Sequence, residues 1–91
     1  MNTVKLSNIS IAEFKEFLVD RGCTQVDNGN DGHEKWTKDG CLRPVIFQTH
    51  VDPIPEFIVK NNLRNIDMTR KEFAEWYLNR KRKKQLKEDK S

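Results

Sequence analysis

The same six-residue device is written twice in this chain, as Ile9-Ser10-Ile11-Ala12-Glu13-Phe14 and as Met68-Thr69-Arg70-Lys71-Glu72-Phe73. Each has a hydroxyl residue followed three positions later by Glu, bracketed by an apolar residue and a Phe. The hydroxyl can accept from the third amide of a helix while the carboxylate reaches back to the cap amide, and the two apolar residues staple across them. Helices are therefore predicted to begin at both places, and the chain between them must fold to suit both.

After the first start, Ile11, Phe14, Phe17 and Leu18 fall on one helical face while Glu13, Lys15, Glu16 and Asp20 lie off it. Gly22 is the expected stop. Residues 1–8 are short and polar and give no reading. Cys23 to Asp27 reads as a short strand, and Asn28 to Gly32 can only be a turn, because each of its residues tolerates unusual backbone angles. His33 to Lys38 is a second strand. Asp39-Gly40 fits a two-residue type I′ turn, and Leu42 to Gln48 is the returning strand. Pro44 puts that strand at an edge or leaves its position without an amide bond.

With Asp39 and Gly40 at the turn centre, Lys38 faces Cys41, Trp36 faces Arg43 and Glu34 faces Val45. Side chains alternate along a strand, so Trp36, Val45 and Phe47 share the face assigned to the core. His33, Lys35, Thr37, Leu42 and Ile46 share the open face; a one-residue slip would exchange the two. Thr49 to Pro55 is a connector. A helix with Pro55 at its first position runs to about Asn62, and the last helix presents Phe73, Trp76, Tyr77 and the stem of Arg80. A helix, a three-stranded antiparallel meander and one or two further helices make an α+β fold with the helices on one face of the sheet.

At 91 residues the chain makes one domain and has no room for a separate cofactor domain. No apolar run approaches the ~18 residues of a membrane span, and the first residues lack the apolar core of a signal peptide. The expected compartment is the cytoplasm. Charge divides the chain into a body, 1–78, with ten Lys/Arg against twelve Asp/Glu, and an extension, 79–91, with seven against two. The basic character therefore belongs to the extension. Arg80 to Lys87 is either a solvated helical end or a phosphate-tracking tail whose grip weakens with salt. Cys23, His33, Cys41 and His50 are spaced by ten, eight and nine residues, which matches no common zinc pattern, and the cysteines are read as reduced strand residues.

The helix ending Asp20-Arg21-Gly22, the strand after it, Gly32-His33-Glu34-Lys35-Trp36, Arg43-Pro44-Val45-Ile46-Phe47 and then His50 resemble one known family. The chain over about residues 9–78 is similar to HicA toxins, small RNA-cleaving partners in type II toxin–antitoxin pairs with a double-stranded-RNA-binding-domain-like (dsRBD-like) α-β-β-β-α fold. The family's signature is Gly-Ser-His with an aromatic three residues after the His. That resemblance implies that His33 is the catalytic histidine, that Trp36 is the strand aromatic and that His50 matches a second histidine. Here Asp31-Gly32 stands where Gly-Ser is usual.

The implied activity is endoribonuclease cleavage of mRNA, and the implied partner is a HicB-like antitoxin that covers the open face. In such a reaction a base takes the 2′-hydroxyl proton, the oxygen attacks phosphorus, and an acid protonates the leaving 5′-oxygen. Histidine suits either proton transfer near neutral pH. Lys35, two residues along on the same face, is the nearest cation for the developing phosphoryl charge, with Arg43 the alternative on the other face. No carboxylate cluster has metal-like spacing, so cleavage without metal or cofactor is expected. Trp36 is read as core packing, His50 as a loop-holding residue, and Asp31 as either a loop cap or a charge partner of an imidazolium. The other reading is a non-catalytic RNA-binding or protein-interaction module of the same fold.

Overall fold

The computed structural model describes residues 6–28 and 30–89, with side chains as far as Arg80. A 3-10 turn, Leu6–Asn8, leads into helix α1, Ile11–Asp20. The strands β1, Thr24–Asn28, β2, His33–Thr37, and β3, Val45–Gln48, follow, and then the helices α2, Glu56–Asn65, and α3, Arg70–Asp89. The sheet is antiparallel in the order β1-β2-β3, so the architecture is α+β as expected. Two helices follow the sheet. The extension continues α3 on the backbone, and its side chains from residue 81 lie outside the described residues.

Both helix starts lie where the sequence puts them, and the first forms the full reciprocal cap. The Glu13 N–H donates to Ser10 Oγ at 3.1 Å, and the Ser10 N–H donates to Glu13 Oε1 at 2.9 Å. The first helical amide, that of Ile11, donates to Asp52 Oδ1 at 3.1 Å, so the connector adds a second cap. At α3 the Glu72 N–H donates to Thr69 Oγ1 at 3.1 Å, but the Glu72 carboxylate accepts from the Thr69 hydroxyl at 3.2 Å instead of its amide. The stop at Gly22 is a Schellman closure with φ +81°, in which Cys23 N–H bonds Leu18 O and Gly22 N–H bonds Val19 O. α2 closes in the same way through Met68 N–H to Leu63 O and Asp67 N–H to Arg64 O. There the left-handed position is filled by Asp67, φ +61°. α2 starts one residue later than expected, with Pro55 as its cap residue, and ends at Asn65.

The face assignment holds, but the hairpin register does not. Trp36 pairs with Val45, Lys35 with Ile46, Glu34 with Phe47 and His33 with Gln48, so Arg43 is not opposite Trp36. The turn itself exists, with Cys41 N–H on Lys38 O at 3.0 Å. Gly40 has φ +85°, but Asp39 is not among the positive-φ residues, and type I′ needs both. The ladder resumes only after Pro44, which has no amide to give, so residues 38–44 form a loop holding both Arg43 and the fully exposed Leu42. The shift is two residues, which preserves alternation: Glu34, Trp36, Val45 and Phe47 point in, while His33, Lys35, Ile46 and Gln48 point out. β1 carries a bulge at Val26, with Gln25 opposite Trp36 and Asp27 opposite Lys35, and is exposed throughout.

The core is aromatic where helices meet sheet. Phe14 stands edge-on to Phe47 at 5.7 Å, and Phe17 to Phe73 at 4.8 Å between ring centroids. Leu6, in the stretch that gave no reading, is fully buried, and Ile9 is tied to the connector by Ile54 N–H on its carbonyl at 2.9 Å. α3 is pinned antiparallel to α1 by polar groups at the edge of this core. Trp76 Nε1–H donates to Asp20 Oδ2 at 2.6 Å, and Arg80 Nε donates to Glu16 Oε2 at 2.7 Å, with Glu13 Oε2 3.8 Å from its guanidinium. Under the sheet, Glu34 is 4% exposed; its Oε1 accepts the Trp36 indole N–H at 2.8 Å and lies 3.5 Å from Lys15 Nζ. A buried carboxylate needs such partners.

Candidate functional site on the open sheet face

His33 is the first residue of β2, and the loop before it sets its position. Asp31 Oδ1 accepts the His33 backbone N–H at 3.1 Å, an Asx turn that fixes where the strand starts. Of the two roles open to Asp31, loop cap is the one this bond shows. Gly32 has φ +92°, and its carbonyl accepts Thr49 N–H at 3.0 Å, stitching the loop to the end of β3. A β-carbon on Gly32 would stand 3.3 Å from His50 Cε1. The backbone angle favours glycine here, and any β-carbon would also have to displace the exposed imidazole by a few tenths of an ångström. Both histidines are brought to one end of the sheet.

Across the open face His33 is opposite Gln48, and Lys35 lies between Ile46 on one side and Asp27 on the other. His33, Lys35 and Gln48 are exposed. Two residues of strand separate His33 from Lys35 by roughly 6.5–7 Å along the backbone, a span that neighbouring groups of one phosphodiester could share. Asp27 brings a carboxylate to the same face. Arg43, the alternative cation, is an exposed loop residue rather than a strand residue on the opposite face.

His33 also forms one end of a depression of about 240 Å³ that the sequence reading missed. Ile46, Phe47, Gln48, Val51, Ile54, Pro55, Phe57 and Ile58 complete its lining. Its outer wall is the first turn of α2, held in place by Asn62. That side chain accepts the Ile46 N–H on Oδ1 at 3.2 Å and donates from Nδ2 to the Ile46 carbonyl at 2.9 Å, while Asn65 Nδ2 donates to Pro44 O at 3.0 Å. The two asparagines satisfy part of an edge strand's backbone, which blunts pairing there. Asparagine is a poor mid-helix residue, so Asn62 within α2 hints at a side-chain role for that position, though not at the hollow itself.

Among the described residues no three His, Cys, Asp or Glu side chains are grouped to hold a metal ion. Cys23 and Cys41 are free thiols, and burial pushes the Cys23 thiol up from its ordinary value, against the charge of Lys38. No described helix is long and apolar enough to cross a membrane. No protein family, curated protein or solved structure matches the chain in comparison.

Proposed function

We propose that the protein is an endoribonuclease toxin of the HicA type, with a dsRBD-like fold, acting on mRNA in the cytoplasm and restrained by a HicB-like antitoxin. The observation that carries this reading is the placement of His33. Its backbone is pinned by Asp31 while its ring is free on the open face, with Lys35 on the same face and His50 at the same end. An exposed imidazole can take the 2′-hydroxyl proton of a bound strand or protonate the leaving 5′-oxygen, and the Lys35 ammonium can meet charge as it develops on the phosphoryl oxygens. The antitoxin would act by covering this face. Expression of the chain alone should arrest growth and degrade mRNA, and His33→Ala should abolish both while the far-UV circular dichroism is unchanged. Full toxicity and cleavage in a folded His33→Ala variant would overturn the assignment.

Two observations favour a second reading, a binding module without cleavage. Asp27 stands opposite Lys35, and Asp31 occupies the position of the usual glycine before the site. On that reading RNA or a protein binds, and His33→Ala leaves affinity and RNA integrity alike.

A further inference from the structure

We propose that the depression between His33 and Phe57 is a subsite for one unstacked base of single-stranded RNA. This rests on the reading of the protein as RNA-binding, and it adds where the strand lies. Phe57, in the first turn of α2, is 64% exposed, and Ile46 on the facing strand is 43% exposed. The fold buries Phe14, Phe17, Phe47 and Phe73 almost completely and leaves this one phenyl ring in water, beside a hollow whose lining includes the buried Phe47 and Ile54. Polar groups lie at one end only, the Gln48 carboxamide and the His33 imidazole, each able to donate and to accept.

A flat ring with a hydrogen-bonding rim matches that distribution. Phe57 offers a face for stacking, the floor is apolar, and Gln48 can meet the base edge, which is how unpaired bases are held in single-stranded RNA complexes. An aliphatic chain would desolvate Gln48 without pairing it. Charge points the same way: Lys35 continues the open face beyond His33, so a strand with one base in the hollow carries its backbone phosphate past the imidazole toward the ammonium. The hollow is preformed, because Asn62 fixes α2 to Ile46, so little ordering is needed on binding.

The test uses the full chain and short fluorescein-labelled RNA with 2′-O-methyl riboses, which cannot be cleaved through the 2′-oxygen, with affinity read by anisotropy. Phe57→Ala should weaken binding roughly tenfold or more, while Phe57→Trp keeps the wild-type affinity. Removing the base at one position of the oligonucleotide should cost the wild type the same factor and cost Phe57→Ala nothing further. Phe57→Leu, which keeps apolar bulk without the ring, should behave as Phe57→Ala and guards against a folding defect. Unchanged affinity in both variants would overturn the subsite and leave RNA binding standing. Absence of RNA binding by the wild type would overturn both. Unchanged affinity together with self-association that Phe57→Ala abolishes would assign the hollow to a second copy of the chain instead.

Discussion

A β-carbon placed on Gly32 would come within 3.3 Å of His50 Cε1, so the loop before His33 and the imidazole of His50 share one end of the sheet. Gly32→Ala should be costly twice over. The left-handed backbone costs an L-residue about 1–2 kcal/mol, and the new methyl group meets His50. Thermal unfolding should fall by several degrees, at roughly 4–8 °C per kcal/mol for a domain of this size. The double variant Gly32→Ala/His50→Ala should recover the contact part and not the backbone part. Full stability of Gly32→Ala would show that the loop relaxes freely.

Lys35→Ala should lower kcat for RNA cleavage by about 10²-fold if the ammonium meets developing charge, with Lys35→Arg retaining most of the activity. Asp27→Asn, which removes the carboxylate opposite, should strengthen RNA binding at low salt, and the gain should shrink as salt rises. Single-turnover cleavage of a short RNA measures the first effect, and a salt titration of affinity measures the second.

Asn62→Leu keeps side-chain bulk and removes both bonds to Ile46. It should destabilise the fold by about 1–3 kcal/mol, because an amide and a carbonyl lose their partners. Urea unfolding gives the loss, and light scattering checks whether the uncovered edge of β3 promotes association.

Acid should weaken the junction of α1 and α3 through Glu13. Burial pulls its carboxyl up, but the Ser10 amide, Tyr77, the Ser10 hydroxyl and Arg80 together hold it below the ordinary value of 4.5. A carboxyl lowered by folding contributes stability that is present in full above 4.5 and is lost as pH falls through the folded value. Glu13→Gln should therefore be less stable than the wild type at neutral pH, with the difference narrowing below pH 4.5. A difference that stayed constant with pH would assign the effect to packing.

What the sequence disclosed was local or periodic. Ser10 with Glu13, and Thr69 with Glu72, are contacts between residues three apart, so the helix starts could be read directly. Strand parity placed Trp36 inward and His33 and Lys35 outward, and it survived a two-residue register error because the period is two. Asp39-Gly40 does turn the chain, but the ladder resumes only after Pro44, which displaces the register by two residues. The rest depends on distant partners. Asn62 acts on Ile46 sixteen residues away, Leu6 is buried by elements that follow it, and the exposure of Phe57 follows from where α2 is anchored. The hollow beside His33 is a product of those three-dimensional facts and had no sequence pattern of its own.

The bond from the Ile11 amide to the Asp52 carboxylate joins residues 41 apart, and Ile54 reinforces it on Ile9. The first turn of α1 is thus completed by a segment made after the whole sheet. On a ribosome, the helix emerges early with its Ser10–Glu13 cap already available, and only the Ile11 amide waits for the connector. Protection of the Ile11 amide from hydrogen exchange should therefore depend on a residue made after the whole sheet, and Asp52→Ala should remove it while leaving the amides later in α1 protected.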